Sequence, residues 1–342
     1  MHEATIIKRF RALSIHDDFI LGARGYHIYK YCFQDRRLKK LYKVDDYTYG
    51  FLAKFPLVKR FFRAEITRLY HLANGADLLI AKKGIFKREK ESKIFKKCFN
   101  ITKGSRPLNI CITPENKIYF GEYFSNAEQN EVHIYKSDDF GTSWDIVYTF
   151  PKGSINHIHG IFHDPYTNFI WVVTGDRRDE IIIGYTDNEF KTFKKIFSGG
   201  QKFRTCNLAF FEQHIIYATD SQYIKNKIKK IDRATLQIED LCEINGSCIY
   251  AGQVGDFVYL SSTIEPSKIN TEKYSNLYIS KNKGKNWHKI AQYKKDSWNA
   301  SVFQFGSIQF PEYIVSEITD SFVFSGRALK KVGGHTVIMR NE

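Results

Sequence analysis

The chain has 342 residues, 43% of them hydrophobic, and a formal charge of +15 from 52 Lys and Arg against 37 Asp and Glu. That is enough apolar material for a large core, while the absence of any run of 18 apolar residues excludes a helical membrane span. Charges at Lys8, Arg9, Arg11, Asp17 and Asp18 break up the first 19 residues, so no secretory leader is read there; six scattered cysteines without a Cys-x-x-Cys pair are expected to be small buried hydrophobes, and the expected location is the cytoplasm.

In chain order, residues 10–44 form a first β unit, with short strands at 19–21 and 27–31. The segment 47–66 then interleaves Phe51, Leu52, Phe55, Leu57, Phe61 and Phe62 with Lys54, Lys59, Arg60 and Arg63 around Pro56. It reads as a short helical insertion that packs on the rest of the fold, or as an amphipathic element touching a membrane surface or a lipid-linked glycan. A compact unit follows at 67–96. From there a four-run pattern repeats: 108–113, 117–122, 132–136 and 145–150; then 158–162, 169–174, 181–185 and 193–197; then 206–211, 215–219, 228–232 and 237–241; then 247–253, 257–261, 276–280 and 287–293. Four antiparallel strands per unit fit each set, and residues 302–339 supply a last unit.

Three octapeptides mark the repeat. Ser137-Asp-Asp-Phe-Gly-Thr-Ser-Trp144 has the Ser-x-Asp-x-Gly-x-Ser/Thr-Trp spacing; Thr186 to Phe193 is a worn copy and Ser280 to Trp287 another. Their first residues lie 49 and then 94 positions apart, the second being two steps of 47. A β-rich unit of about 47 residues is the signature of a propeller. The expected fold is therefore an all-β β-propeller, one domain over 1–342, with seven four-stranded blades and six or eight as the bounds. Each octapeptide is a hairpin clasp in which a short polar side chain folds back on the backbone, Gly takes positive φ and Trp plugs a gap between sheets. Phe190, where the other copies have Gly, predicts a looser or differently shaped turn.

In such a ring the inner strands start on one face, and the loops after the second strands open on the same face, so polar residues at those places converge. Reading them off gives Arg106, His157, His159, Arg204, Asn207 and Tyr250 from the inner strands, and Glu122, Tyr123, Asp176, Arg178, Asp220 and Glu265 from the second-strand ends. His157 and His159 share one strand face, and a His held by Asp176 or Glu122 suits general acid or base work near neutral pH. These four are the candidate catalytic residues. Arg106 and Arg204, at equivalent places two blades apart, are expected to grip a carboxylate or phosphate as a pair, with Tyr123, Asn207, Asp220, Tyr250, Glu265 and Arg178 as further substrate contacts. No metal site is assigned, because two histidines on a strand come with no evident third ligand, and no cofactor is expected. The charge favours an anionic partner; no nucleic-acid module pattern accompanies it, so that partner is expected to be an acidic or phosphorylated glycan rather than nucleic acid.

The octapeptides and their period make the chain resemble the BNR/Asp-box sialidase superfamily across residues 106–295. The phrases GEYFSN at 121–126, HIHGIFHDPY at 157–166, WVVTGD at 171–176 and STIEP at 262–266 resemble more closely a group of signal-less bacterial BNR proteins that accompany surface-polysaccharide synthesis. The resemblance implies a propeller acting on a saccharide. True sialidases have an Arg-Ile-Pro at the first catalytic Arg, an Arg triad, an acidic acid/base and a Tyr-Glu nucleophile pair; here the nearest phrase is Ser105-Arg106-Pro107, and a triad would have to come from Arg106, Arg204 and Arg327. Retaining sialidase chemistry is therefore not the expectation. The His-rich strand also resembles propeller polysaccharide lyases in residue type. The expected function is a glycoside-bond enzyme of surface-polysaccharide metabolism, the alternatives being a non-catalytic carbohydrate-binding or scaffold propeller and a lyase.

Overall fold

The second strand of each unit carries the most continuous apolar run, and a strand covered on both faces needs one. The computed structural model describes residues 4–300, 302–318 and 321–340, and in these the runs become seven radial blades. Blade 1 pairs Arg11–Ile15, Phe19–Arg24, His27–Cys32 and Leu38–Val44, and blade 2 pairs Arg68–His71, Asp77–Ala81, Gly84–Arg88 and Ile94–Asn100. Blades 3 to 6 span residues 111–150, 158–198, 209–244 and 247–294 in the same up-and-down order. All five residues of Asp77–Ala81, and of Ile170–Thr174 in blade 4, are buried, whereas outermost strands such as Lys194–Ser198 are exposed and Lys-bearing, which guards the edge against further pairing. Adjacent blades share their cores: Leu78, Ile80 and Ile85 of blade 2 pack with Ile118 and Phe120 of blade 3.

Ring closure was not legible in the sequence. Blade 7 takes Ser307–Gln309, Ser321–Arg327 and Thr336–Arg340 from the end of the chain and its outermost strand, Ala4–Ile7, from the beginning. Ala4 lies opposite Met339 and Ile7 opposite Thr336. Blades 1 and 2 are joined at their rims by a short parallel pairing of Lys43 and Val44 with Ile94 and Phe95.

The octapeptide turns are clasps with a direction. Ser137 Oγ accepts from Gly141 N at 2.9 Å and Asp139 accepts from Thr142 N and Ser143 N at 3.0 and 2.9 Å. Gly141 has φ 79°, and a Cβ there would meet Leu78 of the preceding blade at 2.8 Å. Gly284 repeats this against Ile216 of blade 5. The worn copy corrects the expectation of a looser or differently shaped turn. Thr186 Oγ1 still accepts from Phe190 N at 2.9 Å and Asn188 Oδ1 from Thr192 N at 3.0 Å, with Phe190 itself at φ 68°. Its buried ring, 5.7 Å from that of Tyr119 in blade 3, holds the strained backbone in place.

The insertion is two short helices, α1 (Tyr47–Leu52), capped by Asp46 accepting from Tyr49 N, and α2 (Pro56–Phe62), with Pro56 opening it. Leu52 and Ala53 pack on the core of blades 1 and 2, and Arg60 reaches across to Asp296 at 2.8 Å. Arg60 therefore anchors the insertion instead of facing outward, while Phe51, Phe55, Leu57, Phe61 and Phe62 remain exposed.

Phe190→Gly weighs the clasp's two terms against each other. Relief of the left-handed backbone returns about 1–2 kcal/mol, while loss of a buried Phe costs about 3–5 kcal/mol. The expected outcome is a net destabilisation of about 1–4 kcal/mol, read as a lower urea midpoint.

Candidate functional site

Arg63 ends α2 in the left-handed region (φ 53°) and turns the chain inward, burying Ala64 and Ile66 and delivering Glu65 to the axis. There Glu65 meets three guanidinium groups from three blades. Arg11, the first inner-strand residue of blade 1, lies 3.2 Å from Oε2; Arg106, entering blade 3, and Arg327, ending the second described strand of blade 7, lie 3.3 and 3.5 Å from Oε1. Burial alone would raise the Glu65 carboxyl, but Arg11, Arg106 and Arg327 outweigh it and hold it down at about 2. Tyr250 of blade 6 completes the group, with the Arg327 guanidinium 5.7 Å from its ring centre. Burial pushes its phenol up, and Arg327, Arg11 and Arg106 more than reverse that, leaving it below the ordinary tyrosine value.

A second cluster forms on the blade 4 side, where the expected convergence of His157, His159, Asp176, Arg204 and Asp220 is found. His159 Nε2 is 3.0 Å from His157 Nε2 and 3.1 Å from Asp176 Oδ1, while His157 Nε2 is 3.4 Å from Asp176 Oδ2. Arg204 Nη2 lies 2.9 Å from Asp176 Oδ1 and 3.5 Å from Asp220 Oδ2. The imidazoles are 4% and 2% exposed, so Asp176 is the member of the triad that meets solvent. Burial works to raise the Asp176 carboxyl, and His157 and His159, when their imidazoles carry a second proton, outweigh it and bring it well below the usual range. Tyr123 spans the two clusters: its ring is 4.4 Å from that of His157, and its phenol, raised above all by burial, is raised further by Asp176, Asp220 and Tyr250.

Several expectations need correction. Arg106 and Arg204 do not act as a pair; each is taken by carboxylates beside it, buried Glu65 for one and half-buried Asp176 with buried Asp220 for the other, since leaving either charge unpaired in the interior is costly. Glu122 does not join the histidines: its carboxylate accepts from His133 N at 2.9 Å and pairs with Lys103 at 3.2 Å. Asn207 donates to the Ile249 carbonyl at 2.7 Å and lines, with Arg68, Asn109, His163, Gln253 and Glu312, a cavity of about 420 Å³ toward the other end of the inner strands. Glu265 receives Ser247 Oγ at 3.4 Å and is raised by burial and then by Asp220. Arg178 opens a short 3-10 turn, Arg178–Glu180, and its side chain lies outside the described residues. Sequence reasoning missed Arg11 and Glu65. Arg11 had a signal, since it enters the blade 1 inner strand as Arg106 and Arg204 enter theirs; Glu65, in the insertion, had none.

No family model matches the chain, and no curated protein matches it. Solved structures that it resembles are propellers. The GH74 xyloglucanase from Xanthomonas campestris superposes with a TM-score of 0.60 at 12% identity, over 96% of this chain and 52% of the other. The WD40 β-propeller domain of Doa1 gives 0.59 at 10% identity, over 100% and 97%. A chain of a mitotic checkpoint complex gives 0.57 at 10%, over 100% and 94%. At these identities the likeness is one of fold, shared by a glycoside hydrolase and by WD40 proteins.

Glu65→Gln leaves three buried guanidinium groups without their anion, and a loss of about 3–5 kcal/mol at neutral pH is expected. Because the folded carboxyl titrates at about 2 against an ordinary 4.5, its stabilisation is complete above 4.5 and fades as pH falls toward 2. Urea unfolding of both proteins across that window should show the gap narrowing with acidity; a constant gap would place the effect elsewhere.

Proposed function

We propose that the axial mouth takes an acidic or phosphorylated saccharide and acts on a glycosidic bond there. The observation that carries this reading is that three buried guanidinium groups share one carboxylate, an excess of two positive charges, with Arg106 Nη1 and Arg327 Nε lacking hydrogen-bond partners among the described residues. A second anionic group placed against Arg11, Arg106 and Arg327 neutralises that excess and takes up those donors. Glycoside cleavage needs one group to attack or to remove a proton and another to protonate the leaving oxygen. Tyr250, drawn toward its anion by the arginines, suits the first role, and Glu265, drawn toward its neutral form, suits the second. An Arg triad and a tyrosine are residue types that true sialidases have, with Arg11 where Arg204 was expected; Glu265 takes the acid role and is not the glutamate of their Tyr-Glu pair. The buried imidazoles of His157 and His159 support neither a lyase nor direct contact with the sugar.

One observation favours the non-catalytic alternative: Glu65 already occupies the space between the arginines, as a permanent plug would, and WD40 propellers share the fold. The reading extends to the exposed aromatics of α1 and α2 as a membrane-surface contact, and to a cytoplasmic location, which six unpaired cysteines suit.

Purified protein incubated with sialyl, uronate and phosphorylated oligosaccharides, and with neutral ones as controls, tests the reading by calorimetry and by chromatography of products. Arg327→Ala should weaken binding of the acidic members about 10- to 100-fold, the worth of a charge-assisted hydrogen bond. Tyr250→Phe should abolish product formation while binding persists. Binding without products in the unaltered protein selects the lectin, and indifference to every acidic saccharide defeats the proposal.

A further inference from the structure

Both blade 4 histidines are fixed in one tautomer by the backbone. His157 Nδ1 lies 2.8 Å from the Phe124 carbonyl oxygen and His159 Nδ1 3.0 Å from that of Thr205. A carbonyl oxygen only accepts, so each Nδ1 carries the hydrogen, and in the neutral ring each Nε2 presents a lone pair. Those lone pairs face one another at 3.0 Å, and the Asp176 carboxylate, a third acceptor, closes the group at 3.1 Å from one and 3.4 Å from the other. Three acceptors in mutual contact, in a place where two of them are almost fully buried, repel unless something positive lies among them. Arg204 touches this set through Asp176 Oδ1 alone, the oxygen that also faces His159, at 2.9 Å, and has no contact with either imidazole nitrogen among the described residues. A single extra proton joins one pair and leaves the remaining acceptor–acceptor contact in place; a metal ion meets all three.

We infer that His157 Nε2, His159 Nε2 and the Asp176 carboxylate form a binding site for a divalent transition-metal ion, zinc in the first place. Ligands at zinc distances of about 2.0–2.1 Å lie roughly 3.3–3.4 Å apart in tetrahedral geometry and roughly 2.9–3.0 Å apart in octahedral geometry. The observed separations of 3.0, 3.1 and 3.4 Å fall in that range before any adjustment. Two imidazole nitrogens and one carboxylate select zinc and its neighbours over calcium or magnesium, which take oxygen donors. The outer contacts are those a metal site uses: each imidazole is oriented through Nδ1 by a carbonyl, and the carboxylate is held by Arg204 and, at 3.4 Å, by Asn156 Nδ2. Cys206 and Asp220 stand beside His159, the three donor atoms within 4.8 Å of one another, and Asp220 Oδ1 is buried without a hydrogen-bond partner among the described residues. Three protein ligands leave a coordination position open, and Asp176 is partly exposed, so that position is on the solvent side of the mouth. The inference is independent of the saccharide reading, because it rests only on the acceptor geometry.

The test uses tag-free protein stripped with a chelator and titrated with zinc against a competing indicator dye, with cobalt(II) absorption as the spectroscopic readout. One equivalent should bind per chain, with visible cobalt bands of a low-symmetry nitrogen and oxygen site. Asp176→Asn, at the most exposed ligand, should keep the fold by circular dichroism and weaken zinc by at least about 100-fold, the upper end of what an outer-shell partner costs. His159→Gln should do the same, and His133→Gln, a histidine remote from the site, should leave binding unchanged. Failure to bind one equivalent, or equal binding by Asp176→Asn, overturns the inference. So does a ¹⁵N imidazole spectrum in which a protonated His157–His159 pair persists unaltered when zinc is added. None of these measurements involves a saccharide, so they fail or succeed apart from the glycan screen.

Discussion

A ring of seven sheets holds only if its first and last sheets are the same sheet. Four residues meet that requirement, Ala4–Ile7 lying antiparallel to Thr336–Arg340. Just inside the seam the join is fastened by a buried hydroxyl network: Ala12 N donates to Ser325 Oγ and Thr336 Oγ1 at 3.0 and 2.9 Å, and Thr336 Oγ1 donates to the Phe10 carbonyl at 2.8 Å. Everything on the axis depends on it, because Arg11 and Arg327 come from the two blades that this seam brings side by side. Without closure the Glu65 carboxylate would lose Arg327 and keep two arginines of its three.

The architecture was legible where local chemistry repeats. Blades 3 to 6 announce themselves through strand-length apolar runs and through octapeptides whose hydrogen bonds lie within eight residues, so that spacing alone encodes them. Closure was not legible, since Ala4–Ile7 is short and carries no partner-specific pattern; its pairing is a property of chain ends 330 residues apart. Phe190 misled for a related reason. Local backbone energetics favour Gly at positive φ, but a ring buried against the neighbouring blade overrides that preference, and only the packing reveals it.

At the site, position was read better than partnership. The rule that inner-strand starts converge put His157, His159, Asp176, Arg204 and Asp220 together, as the coordinates do. Which carboxylate each arginine takes follows from distances of a few tenths of an ångström and from a glutamate delivered by an insertion outside the repeat. Glu122 illustrates the limit: its place at the end of a second strand suggested the axis, and a backbone N–H at His133 with the ammonium of Lys103 drew its side chain aside.

The glutamate between the arginines is tethered, so an anion binding there as proposed would compete with a rival whose local concentration never falls. A ligand bearing one negative charge gains nothing by displacing it, one carboxylate having been exchanged for another. A ligand able to sit beside it, or to bring two charges in its place, gains the whole of the uncompensated field. On the proposed reading the tether would filter by valence, favouring crowded polyanions over abundant small acids.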